Sequence, residues 1–280
     1  MRQIALLAVM IAVGYGAWLH HRATEHVAAL ITQLRPHVLL RYETLSAWPW
    51  RDVRLHQVML EPVGSWREGL NLPVGYRLNA AELRWRRPNA VTGDSGINLL
   101  GLRVPVEGWP AAAATPLQRT GINHIDGDLQ LQLTPPLRGA PWQVTAQWRT
   151  DHDLILSATA TASVGPRFPA LDPTETLLLS AQLEVEDWGL LTRVQQSEAL
   201  ASRRSVDAWA DKALSDIEHS TQQAEWPLSD AVLANLESLL QRPRSFTVHL
   251  TPPAPARLAK LNLYAPSDRW ALLGLTLEAQ

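Results

Sequence analysis

The stretch 142-WQVTAQWRT-150, continued by 154-LILSATATAS-163 and 177-LLLSAQLEVED-187, decides the fold. Trp142, Val144, Ala146 and Trp148 alternate with Gln143, Thr145, Gln147 and Arg149. Leu154, Leu156, Ala158, Ala160 and Ala162 alternate with Ser157, Thr159, Thr161 and Ser163. Leu177, Leu179, Ala181, Leu183 and Val185 alternate with Ser180, Gln182, Glu184 and Glu186. A period of two places one set on each face of a strand, and burial on one face only is the pattern of antiparallel sheet. Leu129, Leu131 and Leu133 repeat it, as do Phe246, Val248 and Leu250.

Upstream the alternation changes phase. Val53 and Leu55 share one parity and Val58 and Leu60 the other; Tyr76, Leu78 and Ala80 give way to Leu83 and Trp85. A phase slip inside a strand reads as a β-bulge, which bends and twists the sheet. A curved sheet is therefore expected. Asp126-Gly127 has the composition of a tight turn before the strand from Leu129, and Asp126 and Asp128 are read as flanking that turn. Residues 87–96 and 105–121 read as loops.

Downstream, residues 188–242 switch to a helical period. Val206, Trp209, Ala210, Ala213 and Ile217 form one stripe, and Val232, Leu233, Leu236, Leu239 and Leu240 a second, with Ser229 as its N-cap and Glu225-Trp226-Pro227 between the two helices. A short helical turn is expected at Ser267–Leu273.

At the N-terminus the chain is free of charge from Ile4 to Leu19, with Arg2 before it and His20, His21 and Arg22 after it. This reads as an uncleaved signal anchor over residues 1–22, oriented by Arg2 with the body of the chain on the far side of the membrane. Residues 23–36 continue as an amphipathic helix carrying Ala23, Val27, Leu30, Ile31 and Leu34 on one face, ended at Pro36. The expected organisation is thus a transmembrane helix (1–22), an amphipathic helix (23–36) and a periplasmic β-rich domain (37–280). The fold class is α+β: a curved antiparallel sheet with a helical insert near the C-terminus.

Of 280 residues, 46% are hydrophobic and 19% charged, so a real core is available and disorder is excluded. A net charge of −2 argues against nucleic acid, which calls for a basic footprint. With no cysteine there is no thiol nucleophile, thiolate metal site or disulfide. Twelve tryptophans are read mainly as core filler between sheet and helices.

No catalytic, cofactor or metal signature stands out. Gly93-Asp94-Ser95-Gly96 matches a serine-protease tetrad but continues as Ile97-Asn98 and reads as turn composition. His21 and Glu25, with His20 and His26, have helical i, i+4 spacing but lack the further ligands a metal needs. A hydrolytic site, if present, is expected where His124 or His152 meets Asp126, Asp151 or Asp153. Arg84 and Arg86, flanking Trp85, are candidates for contact with lipid headgroups. Leu177, Leu179, Leu183 and Val185 are the candidate apolar lining of a groove.

Three segments resemble the AsmA-like and YdgA-like proteins of Gram-negative envelopes: 53-VRLHQVML-60, Leu78–Trp85, and 125-IDGDLQL-131, with the ending 272-LLGLT-276. These families have an N-terminal anchor followed by long antiparallel sheet, and the resemblance implies an envelope role in lipid handling or outer-membrane homeostasis. It carries over no functional residue. The leading expectation is a non-enzymatic periplasmic protein, anchored in the inner membrane, binding lipid or another apolar partner. The alternatives are a structural subunit of an envelope machine, similar to the N protein of type II secretion, and a membrane-surface hydrolase.

Overall fold

The computed structural model describes residues 2–47, 52–69, 71–86, 95–134, 141–151, 154–163, 177–223, 228–257 and 264–279. Side chains are described from Trp18 onward, apart from Ser65, Gly69, Pro266, Ser267 and Trp270. The tetrad residues Gly93 and Asp94, the His152 and Asp153 pair, and the Glu225-Trp226-Pro227 break lie outside them.

The described elements are α1 (Arg2–Leu34), β1 (Val38–Arg41), β2 (Thr44–Ser46), β3 (Val53–Pro62), α2 (Gly64–Gly69), β4 (Leu78–Arg86), β5 (Ser95–Pro105), α3 (Ala111–Arg119), β6 (His124–Thr134), β7 (Trp142–Thr150), β8 (Leu154–Ala162) and β9 (Leu177–Asp187). They continue as α4 (Leu190–Ala201), α5 (Val206–Gln223), α6 (Asp230–Gln241), β10 (Ser245–Leu250), β11 (Ala256–Arg257), α7 (Pro266–Leu273) and β12 (Leu275–Ala279).

The strands form one twelve-stranded antiparallel sheet in the order β1-β3-β4-β5-β6-β7-β8-β9-β10-β12, with β2 paired to β3 and β11 to β9. Alternation in each strand becomes continuous rows across it. Leu45, Leu55, Leu83, Leu99, Leu129, Trp148, Leu156, Val185, Phe246 and Ala279 are successive cross-strand partners. Two residues along, Val53, Trp85, Ile97, Leu131, Ala146, Ala158, Leu183, Val248 and Leu277 form a second apolar row. The opposite face carries Arg54, Arg84, Asn98, Gln130, Gln147, Ser157, Glu184, Thr247 and Glu278 in one row. Cross-strand pairs of like character on each face hold such a sheet in one register, because a slip by one residue exchanges the faces.

The expected architecture is corrected in two respects. The first is the transmembrane helix. α1 is a continuous helix of 33 residues, but Ala23, Val27 and Leu30 are buried in a cluster with Leu40, Val53, Leu55, Leu83 and Trp85. The stripe that segment possesses is used on the sheet, and His20, His21, Arg22, Glu25 and His26 occupy the rest of that stretch. Among the described residues no helix is long and apolar enough to cross a membrane. The second is the helical insert, which is not C-terminal. α4, α5 and α6 lie between β9 and β10, which pair directly with each other, and four further elements follow. The excursion leaves at Asp187, whose carboxylate accepts hydrogen bonds from the Gly189 and Leu191 amides at 3.2 and 2.9 Å. It returns beside the same residue, where Asp187 N donates to Arg244 O at 2.6 Å. Departure and return at one point leave the β9–β10 register undisturbed.

Two local readings are also corrected. Within 105–121 the chain forms α3, where the run Ala111–Ala114 supplies the best helix former. Ala114 and Leu117 are buried against Val106, Ile125 and Leu190. Asp126-Gly127 is no turn but the interior of β6, with Gly127 opposite Leu102 and Thr150. A Cβ there would lie 2.7 Å from Thr150 Cα and closer still to Arg149 O. Glycine is required by the approach of β7, not by a turn.

The phase slips expected in the early strands are present and aligned. Val53 and Leu55, then Val58, are buried in β3; Trp85 and Leu83, then Ala80, in β4; Leu99, then Leu102, in β5. Gln57 and Gly101 take left-handed φ values of 52° and 58°. β6 absorbs the offset in a register shift opposite Leu99–Leu102, and a second shift lies at Thr161–Ala162.

Candidate functional site

The two ends of the apolar face are covered differently. α1 packs over β3, β4 and β5. α3 and α4 meet the face through a second cluster containing Leu117, Ile125, Leu154, Val185 and Leu190, with Trp148, Leu156 and Phe246 against it. Beyond these clusters, further along β7, β8 and β9 from Trp148, Leu156 and Val185, the face is floored by small side chains. Ala146 pairs with Ala158 and Ala160 with Ala181. Larger side chains stand around them: Leu131 and Leu133 on one side, Leu183 and Leu250 on the other, and the Trp148–Leu156 pair at one end. The four alanines are half-buried, and Leu183, next to Ala158, is 37% exposed. Small residues at adjoining positions on three strands create a trough where the flanking leucines and tryptophan form the walls.

The sequence-derived apolar candidates divide across this surface. Leu183 stands at the wall of the trough, opposite Ala158. Val185, 4% exposed, belongs to the covered cluster beneath α4. The shift at Thr161–Ala162 changes the parity of β9, so that Leu178, not Leu177 or Leu179, faces Ala162. Leu177 instead pairs with Arg257 and lines a small hollow with Pro253, Pro255, Tyr264 and Leu272. Periodicity placed all four on one face because a bulge near the start of β9 leaves no compositional mark.

Arg84 and Arg86 lie on the opposite face from Leu183. Arg84 Nε donates to Glu82 at 2.8 Å, and Arg54 Nε stands 3.5 Å from the same carboxylate. The Arg84 hydrogen bond holds Glu82 below the usual carboxylate range, and Glu82 in turn raises Arg84. A carboxylate lowered in the folded state contributes stability that is complete above its unfolded pKa and lost as pH falls through the folded value. Glu82→Gln is therefore expected to flatten the fall of melting temperature on acidification through the carboxylate range. Melts of both proteins across that range check this; parallel curves would show that the contact carries no pH-dependent stability.

Of the expected hydrolytic cluster, His124, Asp126 and Asp151 are described, and His124 and Asp126 do meet: Nε2 lies 3.2 Å from Oδ2. The Asp126 carboxylate also accepts from Arg103 Nε at 2.9 Å and Nη2 at 3.2 Å, and Asp151 N donates to Asp126 O at 2.9 Å. His21 and Glu25 lie 3.3 Å apart, both exposed. Among the described residues no group of three or more histidines and carboxylates is placed to hold a metal. Ser95, from the protease-like tetrad, opens β5 and is buried.

Residues 156–280 match a family model described only as an uncharacterized protein. None of the curated proteins matches the chain.

Proposed function

We propose that this is a non-enzymatic binding protein of the bacterial cell envelope that holds a lipid or similar apolar partner in the alanine-floored trough. The observation that carries the reading is the 37% exposure of Leu183 within a continuous apolar row, beside Ala158. An apolar side chain left open beside a small-residue depression gains by being covered, and an acyl chain recovers about 0.8 kcal/mol per buried CH₂. The envelope setting is supported by the resemblance of the strand segments, and cell fractionation tests it.

The full-length protein, purified and solvent-extracted, is expected to release stoichiometric lipid by mass spectrometry. Leu183→Glu is expected to lower that yield at least tenfold while leaving the circular dichroism spectrum unchanged. Lipid-free wild-type protein sinks the reading.

A second reading, a structural subunit of an envelope machine, is favoured by Trp188, which is 72% exposed just past β9. Tryptophan is enriched at protein interfaces. Trp188→Ala would then abolish co-purification of a stoichiometric protein partner and leave any bound lipid in place.

A further inference from the structure

On the polar face, the line along which three strands change phase opens a cleft of about 610 Å³. We infer that this cleft binds a neutral oligosaccharide laid across the strands. The inference is independent of the lipid reading, because the cleft and the trough lie on opposite faces.

The cleft exists because the ladders, otherwise constant in register, are interrupted at Gln57–Ala81 between β3 and β4 and at Ala80–Leu102 and Ala81–Gly101 between β4 and β5. Gln57 and Gly101 are left-handed there, and Gly101 N, turned out of the ladder, donates to Asp128 Oδ1 at 2.8 Å. Outward-facing side chains then surround the break: Gln57, Asn79, Arg103, Asp126 and Asp151, with Glu43 at one end.

The ligand class follows from the donors and acceptors. Gln57 and Asn79 each carry both kinds of group. Arg103 is fixed on Asp126 through Nε and Nη2, so its guanidinium and the carboxylate form an ordered donor–acceptor pair on adjacent strands. A hydroxyl donates once and accepts twice, and neighbouring hydroxyls of a sugar ring can accept from the one and donate to the other. A phosphate or carboxylate would meet three carboxylates against one guanidinium. A bare metal ion would meet Arg103 on β5, the middle strand of the cleft. From β3 to β7 the lining spans four strand spacings, about 19 Å. That length suits several linked sugars rather than one.

Titration calorimetry of the full-length protein with maltotetraose, cellotetraose and N,N′,N″,N‴-tetraacetylchitotetraose tests this, with spermidine and calcium as comparisons. Asn79 and Asp151 are both exposed, so Asn79→Ala and Asp151→Ala are expected to fold. Saturable binding of at least one oligosaccharide, weakened tenfold or more by each substitution, is the expected result. Binding of none of the three overturns the proposal. So does oligosaccharide binding that both variants retain, or binding of spermidine or calcium alone.

Discussion

Gly127→Ala is expected to destabilise the protein by about 3 kcal/mol, the upper end of ordinary overpacking costs. The reason is what the methyl group would meet. Its nearest neighbours are the Arg149 carbonyl oxygen and Thr150 Cα, backbone atoms of β7 held in register from Gly127–Thr150 to Thr134–Gln143. Trp148 Nε1 lies 2.9 Å away and has its own ring seated in the core. A flexible side chain could swing aside, but a strand in the centre of the sheet has no such freedom. Relief requires β6 and β7 to part at the position where β6 is also offset against β5. Urea unfolding measures the effect. A loss under 0.5 kcal/mol, the size expected of substitutions away from packed contacts, would mean that β7 does not approach Gly127 in this way.

Gly127 also shows where sequence reasoning stops. Asp-Gly is the composition of a turn, and the same pair is used here inside a strand. The distinction depends on the backbone of residues 149–150, which only pairing reveals. The strands themselves were legible because alternation records burial directly: the rows through Leu129, Trp148, Leu156 and Val185 follow from period two. The phase slips in β3 and β4 were legible too, because each moves several apolar residues to the other parity. The bulge in β9 was hidden by three consecutive leucines, Leu177 to Leu179, that look apolar in either phase. The same blindness applies to α3, whose alanines and prolines resemble a loop until Leu117 is seen buried. For the trough, the alanines were visible as strand residues, but their adjacency on three strands is a property of register. The polar cleft joins residues from Glu43 to Asp151, and no local pattern announces it.

The N-terminal helix is where the sequence misleads most, and a pair of substitutions separates the alternatives. Val27→Asp is expected to cost about 4 kcal/mol: the loss of a buried apolar side chain plus the burial of an uncompensated carboxyl group. Val27 is fully buried in the hydrophobic cluster with Leu55 and Leu83. Its neighbour Ala28 is exposed, so Ala28→Asp should cost no more than the difference in helix propensity, about 0.7 kcal/mol. Urea unfolding of full-length protein compares the two. A helix seated on the sheet by one face discriminates sharply between adjacent positions, which lie about 100° apart around its axis. A helix that met only a uniform apolar surround would be indifferent to which of the two carried the charge. Equal losses at Val27 and Ala28 would therefore remove α1 from the core of the sheet. The expected gap of about 3 kcal/mol would instead make this segment part of the folded domain, however residues 2–17 are used.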